Sequence, residues 1–191
     1  WRAWSDHLGN PKLRASFGIG FILLFAFVGA FTYVNFVLVE PPFSLSQSFI
    51  GLVYLVFLPS LVTTPIAGGV AQRYGARMVF WVSIGTSLCG LALLLLPSLS
   101  AVLAGLAIVG AGLFFAQAAA TGYVGRTATR DNAAANGLYL TSYYLGGLAG
   151  ALLLGEVFIA AGWTTVVATI AASLGIALLL GRNLHEPGTQ G

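Results

Sequence analysis

Long apolar stretches, each ended by a short cluster of polar or turn-forming residues, occupy almost the whole chain. Uninterrupted apolar runs fall at about 15 to 39, 46 to 71, 77 to 97, 100 to 125, 132 to 160 and 163 to 181. A bilayer core about 30 Å thick is crossed by about 20 apolar residues in a helix, so each run has the length of a span. The breaks carry turn chemistry: Glu40-Pro41-Pro42-Phe43-Ser44, Gln72-Arg73-Tyr74-Gly75, Pro97-Ser98, Arg126 to Asn132, and Ala161-Gly162-Trp163. The pattern predicts an all-α integral membrane protein with six transmembrane helices.

Lys and Arg fix which breaks share a side. They fall as Arg2, Lys12 and Arg14, then Arg73 and Arg77, then Arg126 and Arg130, then Arg182. With six spans every cluster lies on one side, and an error of one in the helix count would scramble that alternation. Basic loops favour the cytoplasmic face, so both termini are expected in the cytoplasm. The opposite side carries Glu40 and two uncharged turns.

Composition agrees. Of 191 residues 58% are hydrophobic and 7% charged, against roughly a quarter charged in soluble domains. Six spans leave no length for a separate soluble domain. The first residues, Trp1 to His7, do not build a signal peptide and no Met opens them, so the chain reads as a fragment. A net charge of +3 could point to nucleic acid, but the basic residues are scattered between apolar runs and form no stripe, so no nucleic-acid partner is expected. The single cysteine, Cys89, cannot make an internal disulfide or a metal cluster and reads as a small packing residue.

Close helix contact in lipid needs small residues, and Gly146 with Gly150, Ala101 with Gly105, and Ala26 with Ala30 stand four apart. An internal repeat is also present. Gly68-Gly69-Val70 leads to Gly75, and Gly155-Glu156-Val157 leads to Gly162, both with the spacing Gly-x-Val-x-x-x-x-Gly. Each copy ends the second helix of a three-helix set, so the two copies face opposite sides, as in inverted repeats of transporters.

The stretch Gly68-Gly69-Val70-Ala71-Gln72-Arg73-Tyr74-Gly75-Ala76-Arg77 resembles the signature loop of the major facilitator superfamily. Gly68, Val70, Arg73, Gly75 and Arg77 match that pattern, whereas Gln72 replaces its acid and Ala76 one of its basic residues. On physical grounds Gly68 suits a close helix approach, Gly75 a sharp reversal, and the arginines a helix C-terminus among head-groups. Gln72 cannot form the charged contact credited to the family's acid, so a gating ion pair is not expected here. The run Gly137 to Gly146, the Pro41-Pro42-Phe43 turn and the closing Gly181-Arg182-Asn183-Leu184-His185 resemble a bacterial inner-membrane efflux branch, the YnfM-type transporters.

The resemblance implies the C-terminal six-helix half of such a transporter, built as two inverted three-helix repeats. Residues 1–13 are then the end of a cytoplasmic linker, 14–184 the helical half and 185–191 a cytoplasmic tail. The implied partners are a small-molecule solute, the lipid bilayer and an N-terminal six-helix half, and no cofactor is implied. The activity expected is efflux-type secondary transport by alternating access in the inner membrane.

A solute site in this family lies near the midplane, where polar side chains are costly unless they face a cavity or a partner. The candidates are Tyr143 and Tyr144 at the centre of the fifth run, with Thr141 and Ser142 beside them, and Gln117 in the fourth. Tyr33 and Asn35 lie in the outer part of the first. Each can instead bond a neighbouring helix, and because successive residues sit about 100° apart, one of the two adjacent tyrosines is expected to be structural. Pro59 and Pro65 remove backbone donors and favour a kink in the second helix. Glu156 is the one acid inside an apolar run, about 36 Å along its helix from Asn132 and so near the outer interface, where it reaches water. Coupling carboxylates, if protons drive transport, are therefore expected outside this half.

No catalytic constellation accompanies these residues. His7 and His185 fall outside the spans, and neither a zinc motif, a Gly-x-Ser-x-Gly elbow nor a phosphate loop occurs, so an enzyme or an ATP-driven pump is not expected. The alternative to transport is a six-helix scaffold that only packs against a partner.

Overall fold

In the computed structural model the described residues are 7–128 and 131–184, with the side chains of residues 57 and 59–65 outside them. Helix α1 is Pro11–Val39. Its start, four residues before the expected one, is set by Asn10, whose side chain accepts from the Lys12 amide at 3.0 Å, and by Pro11, whose fixed φ suits a first helical turn. A broken helical run follows: α2 (Gln47–Val53), a 3-10 turn (Tyr54–Phe57) and α3 (Leu58–Tyr74). Then come α4 (Ala76–Leu93), α5 (Leu99–Thr127) and α6 (Asn132–Leu180), closed by a 3-10 turn at Gly181–Asn183.

Among the described residues four helical stretches are long and apolar enough to cross a membrane: Pro11–Val39, Ala76–Leu93, Leu99–Thr127 and Asn132–Asn183. The other two expected spans do not stand as separate continuous helices. The run from 46 to 71 is divided by the Tyr54–Phe57 turn, and the run from 163 to 181 continues from α6 across Gly162.

A straight helix the length of α6 would measure about 74 Å. It is not straight. Gly162 has φ 75° and ψ −176°, a region that essentially only glycine enters. Leu154 and Ile170, each eight residues from Gly162, both reach Gly29 of α1; along one straight helix they would lie about 24 Å apart. The chain therefore folds back at Gly162 into two arms, 132–161 and 163–180, and both lie against α1. Gly75, between α3 and α4, has φ 85°. These two are the positive-φ glycines among the described residues, and each closes one copy of the Gly-x-Val-x-x-x-x-Gly repeat.

Helices α1 and α5 form the middle of the bundle, α1 packing along α6, and α5 along α4 and α3. Glycines let main chains meet. A Cβ at Gly146 would collide with the Phe21 carbonyl, and one at Gly150 would come within 2.6 Å of the Phe25 carbonyl oxygen. Gly90 and Gly105 oppose each other in the same way across α4 and α5. Ala26 and Ala30 are fully buried. Among the described residues a Cβ at Gly68 would meet nothing within 4 Å, and Cys89, expected as a small packing residue, is exposed on α4.

The breaks sort to two ends. His7 Nε2 donates to the Asp131 carbonyl at 3.3 Å, and the Tyr123 hydroxyl to the Asn183 carbonyl at 3.1 Å. Leu184 shares a cavity wall with Arg73 and Arg77. All four basic breaks thus gather at one end of the bundle. At the other, Trp163 Nε1 donates to the Leu94 carbonyl at 3.0 Å, and Leu45 lies in one groove with Leu99.

Candidate functional site

The glycine contacts decide which way the first arm of α6 faces. Gly146, Gly150 and Leu154 turn toward α1 with Tyr139, whose ring is fully buried against Gly20. The opposite side is bare: Tyr144 is 65% exposed, and Leu140, Leu148, Leu152 and Ile159 are exposed with it. Tyr143 lies between, half-buried, stacked on Tyr139 at 6.4 Å and meeting Tyr144 edge-on at 5.6 Å. The adjacent tyrosines thus point apart, as helical geometry requires.

Tyr139 donates its hydroxyl to Gln117 Oε1 at 2.7 Å, and the Thr121 hydroxyl donates to the Gln117 carbonyl at 2.9 Å. Gln117, Tyr139, Tyr143 and Tyr144 therefore form a polar and aromatic band from the inside of the bundle to its bare face. Sequence reasoning did not single out Tyr139; its four-residue spacing from Tyr143, which puts both on one helix face, was the available signal. Beside the band Ser142 donates across to the Phe17 carbonyl at 2.8 Å, and Thr141 back to Gly137 at 2.8 Å.

The outer candidates are separate from this band. Tyr33 is buried, donates to the Ala151 carbonyl and stacks on Phe158 at 5.6 Å, so it joins α1 to α6. Asn35 Nδ2 donates to the Phe31 carbonyl and to the Tyr54 hydroxyl, each at 2.8 Å, while its shielded Oδ1 has no hydrogen-bond partner among the described residues. Tyr54 was not anticipated. Glu156 is exposed, six residues before the Gly162 turn. The side chains of Pro59 and Pro65 lie outside the described residues.

In the signature loop, Val70 packs on the core, Gly75 makes the reversal, and both arginines lie over aromatic rings. Arg73 is 5.5 Å from the Tyr74 ring centre and Arg77 4.5 Å from that of Trp81.

The Major Facilitator Superfamily profile matches residues 17–190, nearly all of the chain. The chain belongs to the major facilitator superfamily. Its members are transporters and not enzymes, in line with the absence of a catalytic motif. Among similar proteins, the inner membrane transport protein YnfM of Escherichia coli is 39% identical over 183 residues, 96% of this chain and 43% of that protein. The uncharacterized MFS-type transporter YybF of Bacillus subtilis is 31% identical over 174 residues, 91% of this chain and 43% of that one. An uncharacterized transporter of Buchnera aphidicola from Baizongia pistaciae is 27% identical over 96% of the chain. The chain spans less than half the length of these relatives. No solved structure matches it.

Proposed function

We propose that the chain is the C-terminal, six-span half of an efflux-type secondary transporter, moving a small amphiphilic or uncharged solute by alternating access. The observation that carries this reading is the bare face of the first arm of α6. A row of exposed leucines with Tyr144 among them is turned away from α1, and relatives about twice as long supply a half to cover it. The band from Gln117 to Tyr144 contains no cation or acid, which favours a neutral or amphiphilic solute over an anion.

Six spans follow if the broken run 47–74 crosses once and the two arms of α6 cross separately. The gathering of all four basic breaks at one end supports that count, and it orients that end, with both termini, to the cytoplasm. Two positive-φ glycines closing equivalent repeats support two inverted three-helix units. Similarity to YnfM, an inner membrane transport protein, supports a bacterial inner membrane.

The test uses the complete polypeptide of the reading frame, in inside-out vesicles with a proton gradient and a panel of amphiphilic and uncharged fluorescent solutes. Gradient-dependent accumulation of at least one, reduced severalfold by Tyr144→Ala, is expected. Correctly inserted protein that moves none of them would leave the scaffold alternative. Cysteines at positions 73 and 126 should be labelled from one side only; labelling from opposite sides overturns the topology.

A further inference from the structure

The two ends of the Gln117 amide are used differently. Its Oε1 accepts the Tyr139 hydroxyl at 2.7 Å, and the main-chain carbonyl of the same residue takes the Thr121 hydroxyl. Its Nε2 carries two N–H donors and has no hydrogen-bond partner among the described residues. The side chain is half-buried, and this nitrogen is accessible, unlike the shielded Asn35 Oδ1. Tyrosine has one proton to give, and that of Tyr139 belongs to a fully buried ring. Turning the amide over would take away its acceptor, and an interior donor left unpaired is costly. Tyr139 therefore holds the amide with its oxygen inward and its nitrogen outward. The surroundings are aromatic: one turn before Gln117 on the same side of α5, Phe114 meets Phe27 of α1 at 5.5 Å, and on the α6 side Tyr143 stacks on Tyr139 at 6.4 Å.

We propose that Gln117 is the specificity-determining donor of the solute site, selecting neutral solutes that carry a hydrogen-bond acceptor, a carbonyl or sulfonyl oxygen, on an aromatic or apolar body. Tyr139 is a positioning residue that acts through it. The inference rests on the reading of the band as a solute site and adds what the solute must present there. A held amide nitrogen offers donors and no acceptor, so a solute whose polar group only donates gains nothing from it. A solute oxygen gains a bond in surroundings of low dielectric, where such bonds are strong. A carboxylate also accepts, but none of the residues named here carries a charge to meet it, and moving that charge out of water is costly.

The experiment uses the complete polypeptide in detergent and measures retention of 2-acetylnaphthalene and 2-ethylnaphthalene, each corrected for its partition into protein-free micelles. The two differ in shape by little more than the carbonyl oxygen. A hydrogen bond of ordinary net strength corresponds to about fivefold in affinity, so the ketone should be retained about fivefold over the hydrocarbon. Gln117→Leu should bring that ratio close to unity without lowering retention of the hydrocarbon. Tyr139→Phe leaves the donor present but unheld and should lower the ratio about twofold, since the amide then has two orientations; a merely structural role would lower retention of both compounds and keep the ratio. The double variant Gln117→Leu with Tyr139→Phe leaves no buried hydroxyl unpaired and should match Gln117→Leu, which keeps the test readable if the single variant fails to fold. Equal retention of the two compounds by the parent, retention of neither, or an unchanged ratio in the double variant, as when the amide bonds another part of the complete protein, overturns the proposal. An unchanged ratio in Tyr139→Phe overturns the positioning role. Retention needs no gradient, so a preference that depends on Gln117 in a protein that moves no solute would sink the transport reading and leave this site standing.

Discussion

The hydroxyl of Tyr139 donates to the side-chain carbonyl of Gln117 at 2.7 Å, joining two helices that meet in the interior of the bundle. Away from water, removing one partner exposes the other, so the bond matters more when half broken than when absent. Tyr139→Phe should lower the stability of the complete protein by about 1–3 kcal/mol. Gln117→Leu combined with Tyr139→Phe should recover a large part of that loss. Thermal unfolding in detergent measures both, and an equal or larger loss in the double variant would show that the bond is not the source.

Gly146 and Gly137 lie on the same arm nine residues apart, with opposite surroundings. A Cβ at 146 meets the Phe21 main chain, whereas at 137 it meets nothing within 4 Å. Gly146→Ala should destabilise by about 1–3 kcal/mol, the usual range for overpacking. Gly137→Ala should be neutral or stabilising by about 0.5–1 kcal/mol, because alanine favours helix. The same melting measurement ranks them, and a reversed order would contradict the α1–α6 packing described here.

The reversal at Gly162 requires a backbone conformation closed to other residues. Gly162→Ala should cost about 1–3 kcal/mol even though no neighbour obstructs a Cβ there. Gly75→Ala should behave alike. Far-ultraviolet circular dichroism should show helix content retained while the unfolding temperature falls; an unchanged temperature in both would mean that neither turn is constrained.

Glu156 is exposed, close to a turn and outside the polar band. Glu156→Gln should leave gradient-driven flux within about twofold of the parent, because a carboxylate that reaches water at the interface is not the costly intramembrane charge that marks a proton carrier. Vesicle transport at matched expression decides it, and abolished uphill flux would place the coupling step at Glu156.

The sequence made the helical runs and their breaks legible because run length and turn residues report directly on where a chain can stay apolar. Ala161-Gly162-Trp163 marked a boundary through its own chemistry, whereas the cap and proline at Asn10-Pro11, which start α1 four residues before the expected position, went unread. Which face of each helix is buried was far less visible. Lipid and protein interior are both apolar, so Leu152, exposed, and Leu154, fully buried, look alike in sequence. For the same reason Cys89 read as a packing residue although it is exposed. The burial of Tyr139 and the pairing of Asn35 with Tyr54 depend on how helices rotate against one another, which spacing within one helix constrains only in part. Gly146 and Gly150 were the exception, since four-residue glycine spacing names its own packing face.

The long-range bonds made by Tyr33, Tyr123, Ser142 and Trp163 share one habit: each donates to a main-chain carbonyl, of Ala151, Asn183, Phe17 and Leu94 respectively. Every amino acid carries that acceptor. Mutation can therefore exchange the side chains at the four accepting positions without deleting the acceptor, and the whole informational burden of each link falls on its donor. Across divergent homologues the four donors should persist while their counterparts wander.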